Sequence, residues 1–190
     1  MKTFIEIGCC DFDTNLSLIA NGEWQGVMVE ASPLIFKSLS HKVKQTANKN
    51  NVFCENIAIS NRNGSIKFAV AKDNTDWSRG IGTIMDPNHE GFCLYTHRDN
   101  AHRYYSEVIE VPCNTLDYLI DKYSHLGHID YLKLDTEGHE VTILKSYSWK
   151  VKPTFIKLEH KHVDDRLLVS ILESQGYTVY TESEDIYAIR

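Results

Sequence analysis

The stretch Ile129-Asp130-Tyr131-Leu132-Lys133-Leu134-Asp135-Thr136-Glu137-Gly138-His139-Glu140 decides the fold. A short strand-like run stops at an acidic cluster and a glycine. A helical pattern follows, with Val141, Leu144 and Tyr147 on one face. The unit is strand, acidic turn, helix. Open α/β sheets place their chemistry at the C-terminal ends of strands, which directs attention to Asp135 and its neighbours.

The same unit recurs on the N-terminal side. Residues 4–8 read as a strand closed by Gly8. Asp13 or Thr14 can cap a helix carrying Leu16, Ile19 and Ala20, which ends at Gly22. Residues 26–30 read as a second strand ending in Glu30. Ser32-Pro33 then opens a helix with Ile35, Leu39 and Val43 on one side. Residues 52–60 read as a third strand. Asn61-Arg62-Asn63-Gly64 is a turn signal, so residues 65–71 are expected to return as a hairpin.

The polar segment 72–106 breaks the rhythm. It is too long for an ordinary connection and is read as an inserted lid or substrate wall, or as a solvated excursion with a small hairpin. Beyond it, residues 108–111 alternate like a strand, and Thr115 or Asp117 starts a helix with Leu116, Leu119 and Ile120. After the quoted stretch come a strand at 153–160, a helix capped by Asp164, and an antiparallel pair at 177–181 and 186–189. The expected fold class is α/β: one domain over 1–190, with a doubly wound, mostly parallel sheet and helices on both faces.

Composition narrows the function. The 190 residues carry a net charge of -6, which argues against a general nucleic-acid binder. The five cysteines form no C-x-x-C pair, which points to a reducing compartment rather than a disulfide framework. No signal peptide and no membrane span are recognised, so a cytoplasmic protein is expected. Nothing in the sequence sets an oligomeric state.

Glu30 lies 22 residues after Gly8, the spacing at which an acid accepts hydrogen bonds from ribose hydroxyls. The glycine turn itself departs from the dinucleotide pattern, because Phe12 stands where a second glycine is expected. Asp11 and Asp13 also repel phosphate, or serve only as helix caps. A ligand with ribose but no phosphate fits better, and S-adenosyl-L-methionine is one whose cationic groups suit nearby carboxylates.

Five blocks occur in order: Ile5-Glu6-Ile7-Gly8 with Asp11-Phe12-Asp13-Thr14, Val29-Glu30-Ala31-Ser32-Pro33, Asn56-Ile57-Ala58-Ile59-Ser60, Thr115-Leu116-Asp117, and 132–140. Together they resemble the FkbM family of S-adenosylmethionine-dependent methyltransferases, from residue 4 to about residue 162. The resemblance implies a Rossmann-like class I sheet of seven strands in the order 3-2-1-4-5-7-6. It also implies O-methylation of hydroxyls on sugars, polyketides or similar small acceptors. Cofactor contacts are implied at Gly8 and Glu30, with Asn56 and Ile57 near the adenine. The whole cofactor set expected is Glu6, Gly8, Cys9, Asp13, Glu30, Ala31, Ser32, Asn56, Ile57 and Asp135. A non-catalytic cofactor-binding or scaffold protein is the alternative.

A hydroxyl nucleophile needs a base. The catalytic candidates are Asp135, His139, Glu159 and His160, with Glu137 beside them. His139 starts a helix, whose N-terminus keeps the imidazole neutral. Charges within central strands are expected to pair, as a network Glu6–Lys133–Glu159 under the pocket floor. His160-Lys161-His162 would place two imidazoles on one strand face, a spacing that suits a divalent ion, although no metal is expected. Trp77, Arg79, Arg98 and Arg103 could supply a sugar- or anion-binding wall, or be ordinary surface residues.

Overall fold

The N-terminal strand β1 (Lys2–Ile7) is buried over five of its six residues and ends where Gly8 turns the chain with φ +79°. The computed structural model describes residues 1–11, 15–20, 22–46, 49–72, 80–85 and 105–190. Phe12, Asp13 and Thr14 lie outside them, and with them the expected Asp13 contact and the helix cap. So do Trp77, Arg79, Arg98 and Arg103 of the inserted segment.

The first half continues with α1 (Leu16–Ala20), β2 (Trp24–Val29), α2 (Pro33–Lys44) and β3 (Val52–Glu55). Pro33 opens α2, its fixed φ suited to the first turn. Ser32 sits at the N-cap, but its hydroxyl makes no capping bond. Then come β4 (Ala58–Ser60), β5 (Gly64–Ala71), β6 (Thr83–Ile84), β7 (Tyr105–Thr115) and α3 (Leu116–Lys122). The Thr115 hydroxyl caps α3 by accepting from the Tyr118 amide. The chain closes with β8 (Tyr131–Leu134), α4 (Glu140–Ser146), β9 (Phe155–Glu159), α5 (Asp165–Ser174), β10 (Thr178–Glu182) and β11 (Asp185–Ile189). Asp164 caps α5 through the Arg166 amide.

Seven strands form the main sheet in the order β3-β2-β1-β8-β9-β11-β10. Ranked by chain position within this sheet alone, the order reads 3-2-1-4-5-7-6. The sheet is mixed. Its four pairings from β3 to β9 are parallel, and the two that add β11 and β10 are antiparallel. Alternation sends Ile5, Ile7, Leu132, Leu134, Ile156 and Leu158 to one face, against α3, α4 and α5. Phe4 and Met28 face the other way, onto Ile19 of α1 and Leu39 and Val43 of α2. Each such fully buried side chain contributes roughly 1.5–3 kcal/mol.

Two expectations need correction. Residues 52–60 are not one strand: β3 belongs to the main sheet and β4 to a second one. The break is at Asn56, whose amide donates to the carbonyls of Glu30 (2.8 Å) and Ala31 (3.1 Å). Nor does β5 return along β4. Both flank β7, so that Cys113 lies opposite Ala58 on one side and Gly64 on the other. The second sheet has the order β4-β7-β5-β6 and its own core of Ala58, Ile66, Phe68, Ile84, Val111 and Cys113. Part of the expected insertion is therefore structural. No helix among the described residues is long and apolar enough to cross a membrane.

Candidate functional site

The C-terminal ends of β1, β2, β8 and β9 open into a cleft with about 1000 Å³ of empty volume, open solvent included. The second sheet supplies its opposite wall through Phe68, Gly82 and Ile84. Gly82 is needed there, because a Cβ on it would lie 2.7 Å from the Phe68 ring.

Gly8 sets the floor. A Cβ at this position would fall 1.7 Å from the Asp135 carbonyl oxygen, and its φ of +79° already excludes most side chains. Glycine lets the turns after β1 and β8 touch. Asp135 N donates to Ile7 O (3.0 Å), and Gly8 N donates to Val29 O (3.0 Å). Cys10 and Glu137, both lining the cleft, hold positive φ of 48° and 55° without being glycine. Such strained backbone concentrates at functional sites.

Glu30 projects from the end of β2. One carboxylate oxygen accepts from Cys10 N (2.9 Å) and the other from Ser32 N (2.7 Å). Each keeps a further lone pair for a ligand. Burial pushes the carboxyl up to about 7, against those two amides, with Asp135 and Asp11 adding to the rise. Asp11 is tied to α2, where Ser38 Oγ donates to its carboxylate (2.5 Å) and Lys42 pairs with it (3.4 Å).

The far rim is acidic. Asp135, Glu137 and Glu159 line the cleft, and Glu140 is buried just behind. Burial raises Glu159 to about 9, and the charges of Asp135, Glu137 and Glu140 add to it. Burial also raises Glu140 to about 7, although its Oε1 accepts from the Thr136 amide (2.6 Å) and hydroxyl (2.7 Å). Beneath, Lys133 lies 3.4 Å from Glu6 and 3.5 Å from Asp135. The expected third member of this network, Glu159, is replaced by Asp135. The register places Lys157, not Glu159, beside Lys133, and Glu159 stands at the strand end opposite Asp185.

Of the expected site residues, Gly8, Glu30, Ala31, Ser32, Ile57, Asp135 and Glu159 line the cleft. Glu6 lies fully buried under the floor, where it also accepts from the Asn15 amide (3.1 Å). The Cys9 thiol turns inward onto the Glu6 carbonyl (3.2 Å), and burial raises its pKa. Asn56 braces the turn after β2 from behind. His139 does not reach the lining; it is fully buried at the N-cap of α4, with Nε2 2.7 Å from Ser60 Oγ. His160 also stays off the lining, because β9 ends at Glu159 and the chain turns there. The two histidines therefore do not share a strand face. Instead His162 Nε2 lies 3.0 Å from Glu137.

Sequence reasoning passed over Cys10, whose amide anchors Glu30, and the apolar wall of Phe68, Ile59 and Ile84. The wall had a visible signal in the alternation of residues 66–70, but not its destination.

The family model described as the methyltransferase FkbM domain matches residues 6–179. No curated protein matches the chain. The solved structure of methyltransferase FkbM from Methylobacillus flagellatus KT superposes with a TM-score of 0.62 at 12% identity, covering 100% of this chain and 43% of that one. The chain thus spans less than half the length of that protein. Fibrillarin from Aeropyrum pernix, in complex with natively bound S-adenosyl-L-methionine, gives a TM-score of 0.49 at 12% identity, over 99% of this chain and 66% of that one. The Methylobacillus likeness assigns the α/β class I methyltransferase-like fold. With a family match running over residues 6–179 of its 190, the chain belongs to the methyltransferase FkbM domain family.

Proposed function

We propose that this protein transfers a methyl group from S-adenosyl-L-methionine to a hydroxyl of a sugar or another small acceptor. The observation that carries the reading is the cleft's division into two ends. One is an apolar slot beside a buried, backbone-anchored Glu30, and the other is a carboxylate rim at Asp135 and Glu159.

The slot between Ile57, Ile59 and Phe68 suits a flat base, and Glu30 suits the ribose hydroxyls through its remaining lone pairs. The cofactor, when bound, supplies an activated methyl next to a positive charge, which Asp135 at the rim favours. Asp135 faces the cleft with Lys133 3.5 Å away. An ionised Asp135 can take the acceptor's proton as the oxygen–carbon bond forms, an effect typically worth about 10²–10⁴-fold.

The test has two parts. Isothermal titration with S-adenosylhomocysteine is expected to show one site per chain. A labelled-methyl assay over sugars and small hydroxylated acceptors then reports turnover. Asp135→Asn is expected to cut turnover by about 10²-fold or more while leaving S-adenosylhomocysteine affinity within about threefold. Absence of S-adenosylhomocysteine binding overturns the cofactor assignment. Unchanged turnover in Asp135→Asn removes that residue from the chemistry.

A further inference from the structure

At the rim of the cleft, one oxygen each of Glu137 and Glu159 and one ring nitrogen of His162 lie within 4.8 Å of one another. We propose that these three side chains form a divalent-cation site that opens onto the cleft. The site would take a first-row transition ion such as Mn²⁺ or Zn²⁺.

The donor set selects the ion. Two carboxylates with an imidazole suit Mn²⁺ and Zn²⁺, whereas Mg²⁺ and Ca²⁺ favour all-oxygen shells. Three protein ligands leave coordination positions free, the pattern of a reactive rather than a structural site. Glu137 and Glu159 both line the cleft, so the free positions face it.

The ligands are held in place before any ion arrives. The His162 side chain is only 4% exposed, and its Nε2 points at Glu137 Oε2, 3.0 Å away. Glu137 is pinned by its backbone, because Thr83 Oγ1 of β6 donates to its carbonyl (2.9 Å). A second observation bears independently on the same place. The Glu140 carboxyl is 1% exposed, lies within electrostatic reach of Glu159, and leaves Oε2 without a hydrogen-bond partner. A buried carboxyl with an unmatched oxygen, whose charge acts on Glu159, is stabilised by a nearby dication. Of the lysines close by, Lys133 is engaged with Glu6 and Asp135, while Lys161 pairs with Glu184 at 3.1 Å and its charge also acts on Glu159 without offsetting the rise caused by burial and the neighbouring acids.

The ion's role rests on the methyl-transfer reading: bound here, it would hold the acceptor hydroxyl and ease loss of its proton. Binding itself does not depend on that reading. The experiment is titration of the metal-stripped protein with Mn²⁺, followed by electron paramagnetic resonance and calorimetry, and repeated with Zn²⁺, Mg²⁺ and Ca²⁺. S-adenosylhomocysteine is titrated in parallel. One Mn²⁺ or Zn²⁺ per chain is expected, at least tenfold tighter than Mg²⁺ or Ca²⁺. His162→Ala and Glu159→Gln are each expected to weaken it at least tenfold, and His162→Ala, which lies off the cleft lining, to keep S-adenosylhomocysteine affinity within threefold of the parent. Glu137→Gln is the variant to use if His162→Ala does not fold. No binding at millimolar Mn²⁺ and Zn²⁺, or unchanged affinity in the variants, overturns the site. Tighter Mg²⁺ or Ca²⁺ overturns the proposed ion class. Metal binding without S-adenosylhomocysteine binding keeps the site and refutes the methyl-transfer reading instead.

Discussion

If Glu30 receives the ribose hydroxyls, cofactor affinity depends on pH with a sign and size set by its burial. The carboxyl titrates near 7 rather than in the ordinary carboxylate range, because burial outweighs the amides of Cys10 and Ser32. Only the ionised form offers acceptor lone pairs to two hydroxyls on top of two amides. With a pKa of about 7, roughly 9% of the protein is ionised at pH 6 and roughly 91% at pH 8. Affinity for S-adenosylhomocysteine should therefore fall about tenfold from pH 8 to pH 6, close to 1.4 kcal/mol. The loss sets in as pH falls through 7 and continues at about tenfold per pH unit below it. Glu140 is raised to the same range and is the competing source of such a slope. Glu30→Gln separates the two: it should bind more weakly at every pH and show no slope near 7. Calorimetry from pH 5.5 to 8.5 on both proteins measures this. A flat profile in the parent, or a slope that survives in Glu30→Gln, refutes the assignment.

Three further outcomes can be checked. Gly8→Ala should cost about 1–3 kcal/mol from backbone strain alone, with more from the overlap at the Asp135 carbonyl. Urea unfolding reads it, and a loss under about 0.5 kcal/mol would contradict the geometry. Lys133→Met should cost about 3–5 kcal/mol, because Glu6 is fully buried and loses the ammonium 3.4 Å away. The double variant with Glu6→Gln should recover part of that loss, and strict additivity would deny the coupling. Stability itself should fall as pH rises from about 5 to 8. Glu30, Glu140 and Glu159 all titrate higher in the folded chain, so the folded state holds more protons across that window. Thermal melts should show a higher midpoint at pH 5.5 than at pH 8, and Glu140→Gln should reduce the difference, with Glu30 and Glu159 carrying the rest. A midpoint that rises with pH would contradict all three shifts.

Much of the main sheet was legible because its units are local. A glycine closing an apolar run, a serine-proline pair and an acid at a strand end each report on a few neighbouring residues. The second sheet was not legible in the same way. Its partners β5 and β7 lie some forty residues apart, and alternation in residues 64–71 fits any neighbour equally well. Hence 52–60 read as one strand, although Asn56 divides it by bonding to the turn after β2.

The acidic run 135–140, from which the fold could be read, is also the case where sequence and tertiary structure divide the decision. By itself the sequence determined that a strand ends at Asp135, that a turn follows through Gly138, and that Lys133 lies inside a sheet. Periodicity and residue type suffice for those statements. Tertiary structure decided which acids act together. Register put Asp135, not Glu159, on Lys133, and packing buried His139 against Ser60. The end of β9 let His162 fold back onto Glu137. Charges interact through space over a few ångströms, and which residues come that close is a property of the folded chain.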